Sequence, residues 1–406
     1  MPYKVAIIKH GFIPPYRVRF YEMLNQREGA EYVVFHGPPP SEIGTVAAQG
    51  PFSFPAKWVP TRELPLIVWR PIYQPVVREV LTGGYDAVVF GLEIKFLGNV
   101  PLALLAKMLG LPVLYWDFGY HQQLGADFSR RTLTSVFATA NFLKDGLTRL
   151  ADGYLTYTRR GAERLKAIGF PAERTFVLNN TIDVSEQIRL HGDVAWEDPQ
   201  ALRSEFRLRP DSVVFLYIGR LVGAKRVDEL IEAVRRLNRE GRCAHPVEAV
   251  VIGAGPQLAE LQALAQGLDS IRFLGDVRDQ RLVARCMKVS AAVVIPGFVG
   301  LAVNHAFAQG RPIITRAHNL HSPEIEYVAH DENGLIVEGD MDCFVARLAQ
   351  FAGDADEQRR LAAGALHSRE ELRLEKMVER FDLAVRSVIA ESRARRRAQG
   401  RRTVPS

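Results

Sequence analysis

Several stretches of this chain carry residue types that do chemistry. In IGRLVGAKRVDELIEAV an apolar run ends at Ile218, turns through Gly219 and Gly223, and sets Arg220 and Lys225 just ahead of a helical pattern. A guanidinium fork and an ammonium beside the amides of a helix N-terminus make a clamp for a diphosphate, although a solvated basic loop reads the same way. In VVIGAGP, Gly253 and Gly255 form a Gly-x-Gly turn of the nucleotide-binding kind. Gln257 and Leu258 follow Pro256 without the third glycine of the dinucleotide fingerprint, which disfavours a nicotinamide enzyme. In PGFVGLAVNHAFAQGRPIIT a glycine-rich bend leads into a helical pattern with Asn304 and His305 in its first turns. Nearer the N-terminus, KHGFIPPYRVRF brings His10, Gly11 and Arg17 close together, and YWDFGYHQQ sets Trp116, Asp117, Tyr120 and His121 in one loop. Aromatics beside an acid and an imidazole can stack on and orient a sugar ring; they can equally hold a loop together by ordinary hydrogen bonds.

The elements that must position these residues follow from the apolar runs. KVAIIKHG, EYVVFHG, DAVVFGL, PVLYWDF, GYLTYT and RTFVLNN alternate with helical patterns in the first half, and SVVFLYIGR, VEAVVIGAG, IRFLGD, SAAVVIPG and RPIITR do so in the second. Continuous apolarity calls for strands covered on both faces, and intervening helices call for crossovers. The expectation is a doubly wound parallel sheet occurring twice, with ligands bound beyond the carboxyl ends of the strands. The strand pattern stops between Asn179 and Phe206. The expected domains are therefore 1–188, 189–372, a helix over 373–392 that packs on an existing surface such as the N-terminal domain, and a disordered basic tail over 393–406.

Composition bounds the class. With 406 residues, 47% of them hydrophobic and 24% charged, the chain suits two soluble globular domains. Cys243, Cys286 and Cys343 have no metal-ligand spacing and cannot all pair, which fits a reducing compartment, the cytoplasm. The N-terminus is expected to enter a strand within a few residues and to be a domain start rather than a cleavable leader. NVPLALLAKMLGLPVLYW contains Lys107 and two prolines and falls short of the ~20 apolar residues that span a bilayer. A net charge of +6 is modest and its arginines are scattered or confined to the tail, so no nucleic-acid partner is expected. No metal or other cofactor is expected.

Taken in order, GRLVGAKRVDELIEA, VIGAGP, FLGDV, VGLAVNHAFAQGRPIIT and EYVAHDENGLIV resemble the C-terminal half of the retaining glycosyltransferases of family 4 over most of Val214 to Val337. Upstream, Asn180 and Asp183 match that family's Asn-Gly-x-Asp turn, with Thr181 in place of the glycine. The resemblance implies an α/β GT-B fold, two doubly wound Rossmann-like domains facing across a cleft where catalysis occurs. It implies a hexosyl- or deoxyhexosyltransferase that moves a sugar from a nucleoside diphosphate sugar to a saccharide, lipid-linked or small-molecule acceptor with retention of configuration. Polysaccharide biosynthesis is one setting for such transfer. Arg220 and Lys225 match the family's diphosphate pair and would stabilise the charge that grows on the leaving group. Gly11, Gly253, Gly255, Val277, Gly300, Leu301 and Glu326 fall at donor-site positions. His10, Arg17, Trp116 and Tyr120 stand on the acceptor side, with His121 and Asp117 as its catalytic contacts.

The family's two glutamates, spaced E-x7-E, are absent: Gly297 stands at the first and His305 at the second. His305 is expected to replace the ribose-contacting carboxylate as a neutral hydrogen-bonding group, and Gly297 to leave room for a different or deoxygenated sugar. Loss of both carboxylates keeps two other readings in view, a non-catalytic GT-B subunit that binds nucleotide and a GT-B sugar-nucleotide epimerase or hydrolase. FSRRTLTSVFATANFLKDGLTRLADGYLTYT mixes arginines with apolar positions and suggests peripheral contact with the inner membrane face.

Overall fold

The computed structural model describes residues 2–9, 11–38, 47–64, 71–93, 95–119, 144–318 and 321–402, with backbone alone for 399–402. The chain separates into two units, one of Met1–Ile182 with Leu374–Ser406 and the other of Asp183–Arg373.

The first unit is built on strands β1 (Tyr3–Ile8), β2 (Ala30–His36), β3 (Ala56–Trp58), β6 (Ala87–Phe90), β7 (Val113–Asp117), β8 (Gly153–Thr156) and β9 (Thr175–Val177). They form a parallel sheet in the order β3-β2-β1-β6-β7-β8-β9. A small antiparallel pair, β4 (Arg62–Glu63) and β5 (Ile72–Tyr73), stands apart from it. The second unit has β10 (Val213–Ile218), β11 (Val247–Ile252), β12 (Ile271–Gly275), β13 (Ala292–Val294), β14 (Ile313–Arg316) and β15 (Gly334–Val337). These run parallel in the order β12-β11-β10-β13-β14-β15. In each sheet the winding reverses beside the first strand, between β1 and β6 and between β10 and β13, which is where such sheets open a crevice. The apolar runs therefore mark the central strands correctly. The three-residue β3, the β4–β5 pair and the edge strand β15 are too short or too polar to stand out.

The helix Leu374–Arg402 belongs to the first unit. Leu374, Met377, Phe381, Val385 and Val388 recur at helical spacing and are buried against the sheet. Phe381 meets the rings of Phe20, Tyr32 and Trp116 at centroid distances of 5.4, 6.0 and 5.0 Å. Beside it Asp382, only 3% exposed, accepts from the Tyr32 hydroxyl (2.7 Å), Arg386 Nε (2.9 Å) and Arg27 Nε (3.3 Å). Burial, reinforced by the Asp382 hydrogen bond, holds that hydroxyl protonated far above the usual tyrosine range.

Two expected boundaries move. The helix does not give way to a disordered tail at 393 but continues to Arg402, and Arg393 pairs with Asp86 at 2.6 Å and lies over the Tyr3 ring. At the seam, the helix Ser185–Val194 belongs wholly to the second unit because Leu190 and Val194 pack on Ala284. The switch between units thus falls at 182–183 rather than 188–189.

Candidate active site

A cavity of about 490 Å³ opens at the carboxyl ends of β10, β11 and β12, within the size range of small-ligand pockets. Arg220, Lys225, Gly253, Val277, Leu301 and His305 are all on its wall. The turn after β10 supplies the two cations. Arg220 is exposed, and its side chain has no hydrogen-bond or ion-pair partner among the described residues. Its carbonyl is held instead, by the Tyr217 hydroxyl at 2.9 Å. The 3-10 turn Gly223–Lys225 and a left-handed Arg226 (φ 54°) then carry the chain into the helix Val227–Arg239.

Lys225 is half-buried and donates to the carbonyls of Phe298 (2.6 Å) and Val299 (3.0 Å), which ties the β10 turn to the bend after β13. Burial lowers its pKa from 10.5 to about 8, against an upward pull from the negative charge of Glu324. The Gly253 turn closes on the same loop. Its φ is 148°, and a Cβ there would run into the Gly219 carbonyl, so only glycine lets the two turns approach this closely. Gly255 does not reach the cavity wall; it is pressed against the Leu221 carbonyl, a packing role rather than a donor contact.

The bend in PGFVGLAVNHAF departs from expectation at its glycines. Gly297 donates to the Lys225 carbonyl (3.1 Å) and Phe298 to that of Ala224 (2.8 Å). A Cβ on Gly297 would meet the Ala224 carbonyl, so the space beside this glycine is filled by backbone and is not spare room for a sugar. Gly300 is not on the cavity wall, and its amide is already taken by Ser322 Oγ at 2.8 Å. Leu301 and Ala302 do line the cavity where the helix Ala302–Ala308 begins, and first-turn amides have no acceptor within their own helix. His305 lies one turn further on. Its Nδ1 is buried without a partner among the described residues, and burial pushes its pKa below 6.5, so the ring is neutral at pH 7.

The acid expected at Glu326 is not on the cavity wall. On the 3-10 turn Pro323–Tyr327 it is Glu324, 5% exposed, whose charge acts on Lys225. Two further polar side chains come to the cavity without having been singled out. Asp276 and Gln280 line the cavity just past β12. His318, hydrogen-bonded to the Gly297 backbone, stacks on His321 with centroids 3.9 Å apart. Burial pushes the His321 pKa down to about 4. Asp276 sits inside the quoted FLGDV, but nothing in that stretch distinguishes a side-chain contact from a backbone one.

In the first unit the candidates are more enclosed than expected. Arg17 is 4% exposed; it donates to Asn180 Oδ1 and to the Thr181 carbonyl (3.1 Å) and lies over the Trp116 ring. Trp116 is itself only 9% exposed, between Phe20, Tyr157 and Phe381. Neither is a surface for an acceptor, because the C-terminal helix covers that face of β7. Asp117 accepts through Oδ1 from the Tyr154 hydroxyl (2.5 Å) and the Gly119 amide (2.8 Å), and through Oδ2 from the Leu92 amide (3.2 Å). Lys144 stands 3.6 Å away. With both oxygens engaged, Asp117 fixes its loop rather than standing free as a catalytic base. Gly11, at φ 78°, makes the left-handed turn after β1 and gives its carbonyl to the Gly37 amide. His10, Tyr120 and His121, and most of the FSRR segment, lie outside the described residues.

No three His, Cys, Asp or Glu side chains come together as a metal-holding group among the described residues. The Asp-x-Asp spacings at 340–342 and 354–356 are helix N-caps: Asp340 accepts from the Cys343 amide, and Asp354 from the amides of Asp356 and Glu357. Among the described residues no helix is long and apolar enough to cross a membrane.

Residues 212–354 match the family model described as Glycosyl transferases group 1. Over 243 residues the chain is 28% identical to the alpha-D-kanosaminyltransferase of Streptomyces kanamyceticus, an overlap of 57% of this chain and 56% of that protein. The chain spans between 30% and 56% of the length of the curated relatives it matches. The structure of Anabaena Alr3699/HepE in complex with UDP matches with a TM-score of 0.64 at 17% identity, over 95% of this chain and 100% of that one. WaaG, a glycosyltransferase involved in lipopolysaccharide biosynthesis, matches with a TM-score of 0.57 at 16% identity, over 93% and 98% of the two chains. The two Rossmann-like units form the GT-B fold.

Proposed function

We infer, from a chain that carries a group 1 glycosyltransferase domain at residues 212–354 within a GT-B fold, that the protein is a glycosyltransferase. It takes a nucleoside diphosphate hexose or deoxyhexose in the cavity beyond β10–β12 and transfers the sugar to a saccharide, lipid-linked or small-molecule acceptor with retention of configuration. The observation that carries this reading is the placement of Arg220 and Lys225 on the wall of that cavity, with the Arg220 side chain unpaired among the described residues. A diphosphate supplies the missing anion, and the glycine turns at 219 and 253 leave backbone to flank it.

The reaction asks little else of the protein. The acceptor hydroxyl forms its bond to the anomeric carbon on the side from which the diphosphate leaves. The departing diphosphate oxygen takes the electron pair of the broken bond and the acceptor proton. Stabilising charge on that oxygen lowers the barrier, a task for preorganised cations, and no metal is needed in this scheme. An Asp117 already committed to three donors is consistent with a reaction that requires no side-chain base.

Titrating nucleoside diphosphates and their sugars into the protein at a series of pH values tests the site. With Lys225 near 8, affinity should fall by about tenfold per pH unit as pH rises above that value, because the neutral amine no longer attracts the diphosphate. Lys225→Arg should flatten the dependence, and binding of no nucleoside diphosphate at any pH would overturn the proposal. The neutral His305 imidazole, on the cavity wall, we assign to a hydrogen bond with the nucleotide ribose. His305→Ala should raise the donor dissociation constant by roughly threefold to tenfold, the worth of one neutral hydrogen bond. An unchanged constant by calorimetry would remove His305 from the site.

A further inference from the structure

We propose that the face made by the helix Asn99–Met108 and the arginine-rich end of the C-terminal helix docks on a bilayer surface containing anionic phospholipid. That short helix is apolar on both sides. Leu102, Ala103 and Ala106 are buried in the first unit, yet Leu104, Leu105, Met108 and the following Leu109 are 46%, 39%, 81% and 63% exposed. A helix that is hydrophobic all round requires a cover, and contiguous exposed apolar side chains mark interaction surfaces. The single cation of the helix, Lys107, is tied to Asp152 at 2.7 Å and does not break the stripe.

The charge beside the stripe identifies the cover. The Arg396 guanidinium lies against Gly110, so that a Cβ there would come within 3.1 Å of Arg396 Cζ. A crevice of about 180 Å³, walled by Leu109 on one side and by Arg393 and Arg396 on the other, makes the apolar stripe and the arginine run continuous. Arg396 and Arg397 are exposed and have no carboxylate partner among the described residues. An apolar stripe edged by unpaired cations suits the boundary between acyl chains and anionic headgroups. A second copy of the chain fits less well, since two-fold pairing lays the patch on itself and brings the arginines face to face. The surface is distinct from the residues outside the described set that suggested membrane contact in the sequence, and it holds whether or not the protein transfers a sugar.

Flotation of the full chain tests this with two kinds of vesicle, one of phosphatidylglycerol and phosphatidylcholine in equal parts and one of phosphatidylcholine alone. The protein should float with the first, poorly with the second, and less as salt is raised. Leu104→Glu combined with Met108→Glu should lower partitioning by about tenfold or more. Arg396→Glu combined with Arg397→Glu should weaken it by at least roughly fivefold per arginine. Donor binding should stay at the wild-type level in both variants, which also shows that they fold. Absence of flotation by the wild type, or flotation that both double variants retain, overturns the proposal. So does a concentration-dependent dimer that Met108→Glu splits in a protein that does not float.

Discussion

Arg220→Ala should erase the rise in thermal stability that a nucleoside diphosphate confers, while leaving the unliganded protein as stable as the wild type. The two halves of this expectation have separate causes. In the free protein the Arg220 side chain is exposed and touches no described partner, so its removal should change stability by no more than about 0.5 kcal/mol. With ligand at ~100 times its dissociation constant, the wild type should gain about 2.7 kcal/mol, most of which the variant should lose with its charge-assisted fork. Transfer should slow by about 10²–10³-fold, since in the proposed reaction the same guanidinium would face the charge that develops on the departing diphosphate. Lys225→Ala lacks this clean separation, because its ammonium also holds the Phe298 and Val299 carbonyls. Scanning calorimetry with and without nucleotide decides the matter. A variant with an undiminished shift would mean that the diphosphate binds elsewhere.

Phe381→Ala should cost about 3–5 kcal/mol in the unfolding of the first unit, as large-to-small changes of buried aromatics do. The ring is 0% exposed and its neighbours Phe20, Tyr32 and Trp116 come from the first helix and from β2 and β7, so no single element can collapse to fill the cavity. The helix that carries it arrives after the whole of the second unit. Urea unfolding followed by tryptophan fluorescence should therefore show an early transition for Trp116 and its surroundings, while nucleotide binding by the second unit persists at intermediate urea. A loss within about 0.5 kcal/mol would mean that the C-terminal helix is a peripheral strap and not a core element.

Much of the lining of the cavity beyond β10–β12 was legible because its signals are local. Arg220, Lys225, Gly253, Val277, Leu301 and His305 each sit at the end of an apolar run or the start of a helical one, and in a parallel sheet those places share one edge. The residues read wrongly are those whose chemistry depends on what covers them. Trp116 and Arg17 look like an aromatic and a cation on offer to a ligand, until a helix that begins only at Leu374, beyond the whole second unit, seals them in. Asp117 looks like a free acid until Tyr154, Gly119 and Leu92 occupy its oxygens.

The finer distinctions at the bend have the same origin. Glu324 and Glu326 are two residues apart on a turn with about three residues per revolution, so they face different ways, and spacing alone does not say which one meets Lys225. Gly297 has no side chain, which by itself suggests room, yet the Ala224 carbonyl occupies that room. The amino-acid sequence by itself determined the two parallel sheets, the order of the turns and the cations placed at their carboxyl ends, because hydrophobic periodicity and turn chemistry act over a few residues. Only the tertiary structure decided which polar groups remain unpaired in the site, which face the C-terminal helix covers and which it leaves apolar and exposed. Burial and pairing are set by neighbours distant in the chain, and they decide whether a side chain is free to meet a ligand.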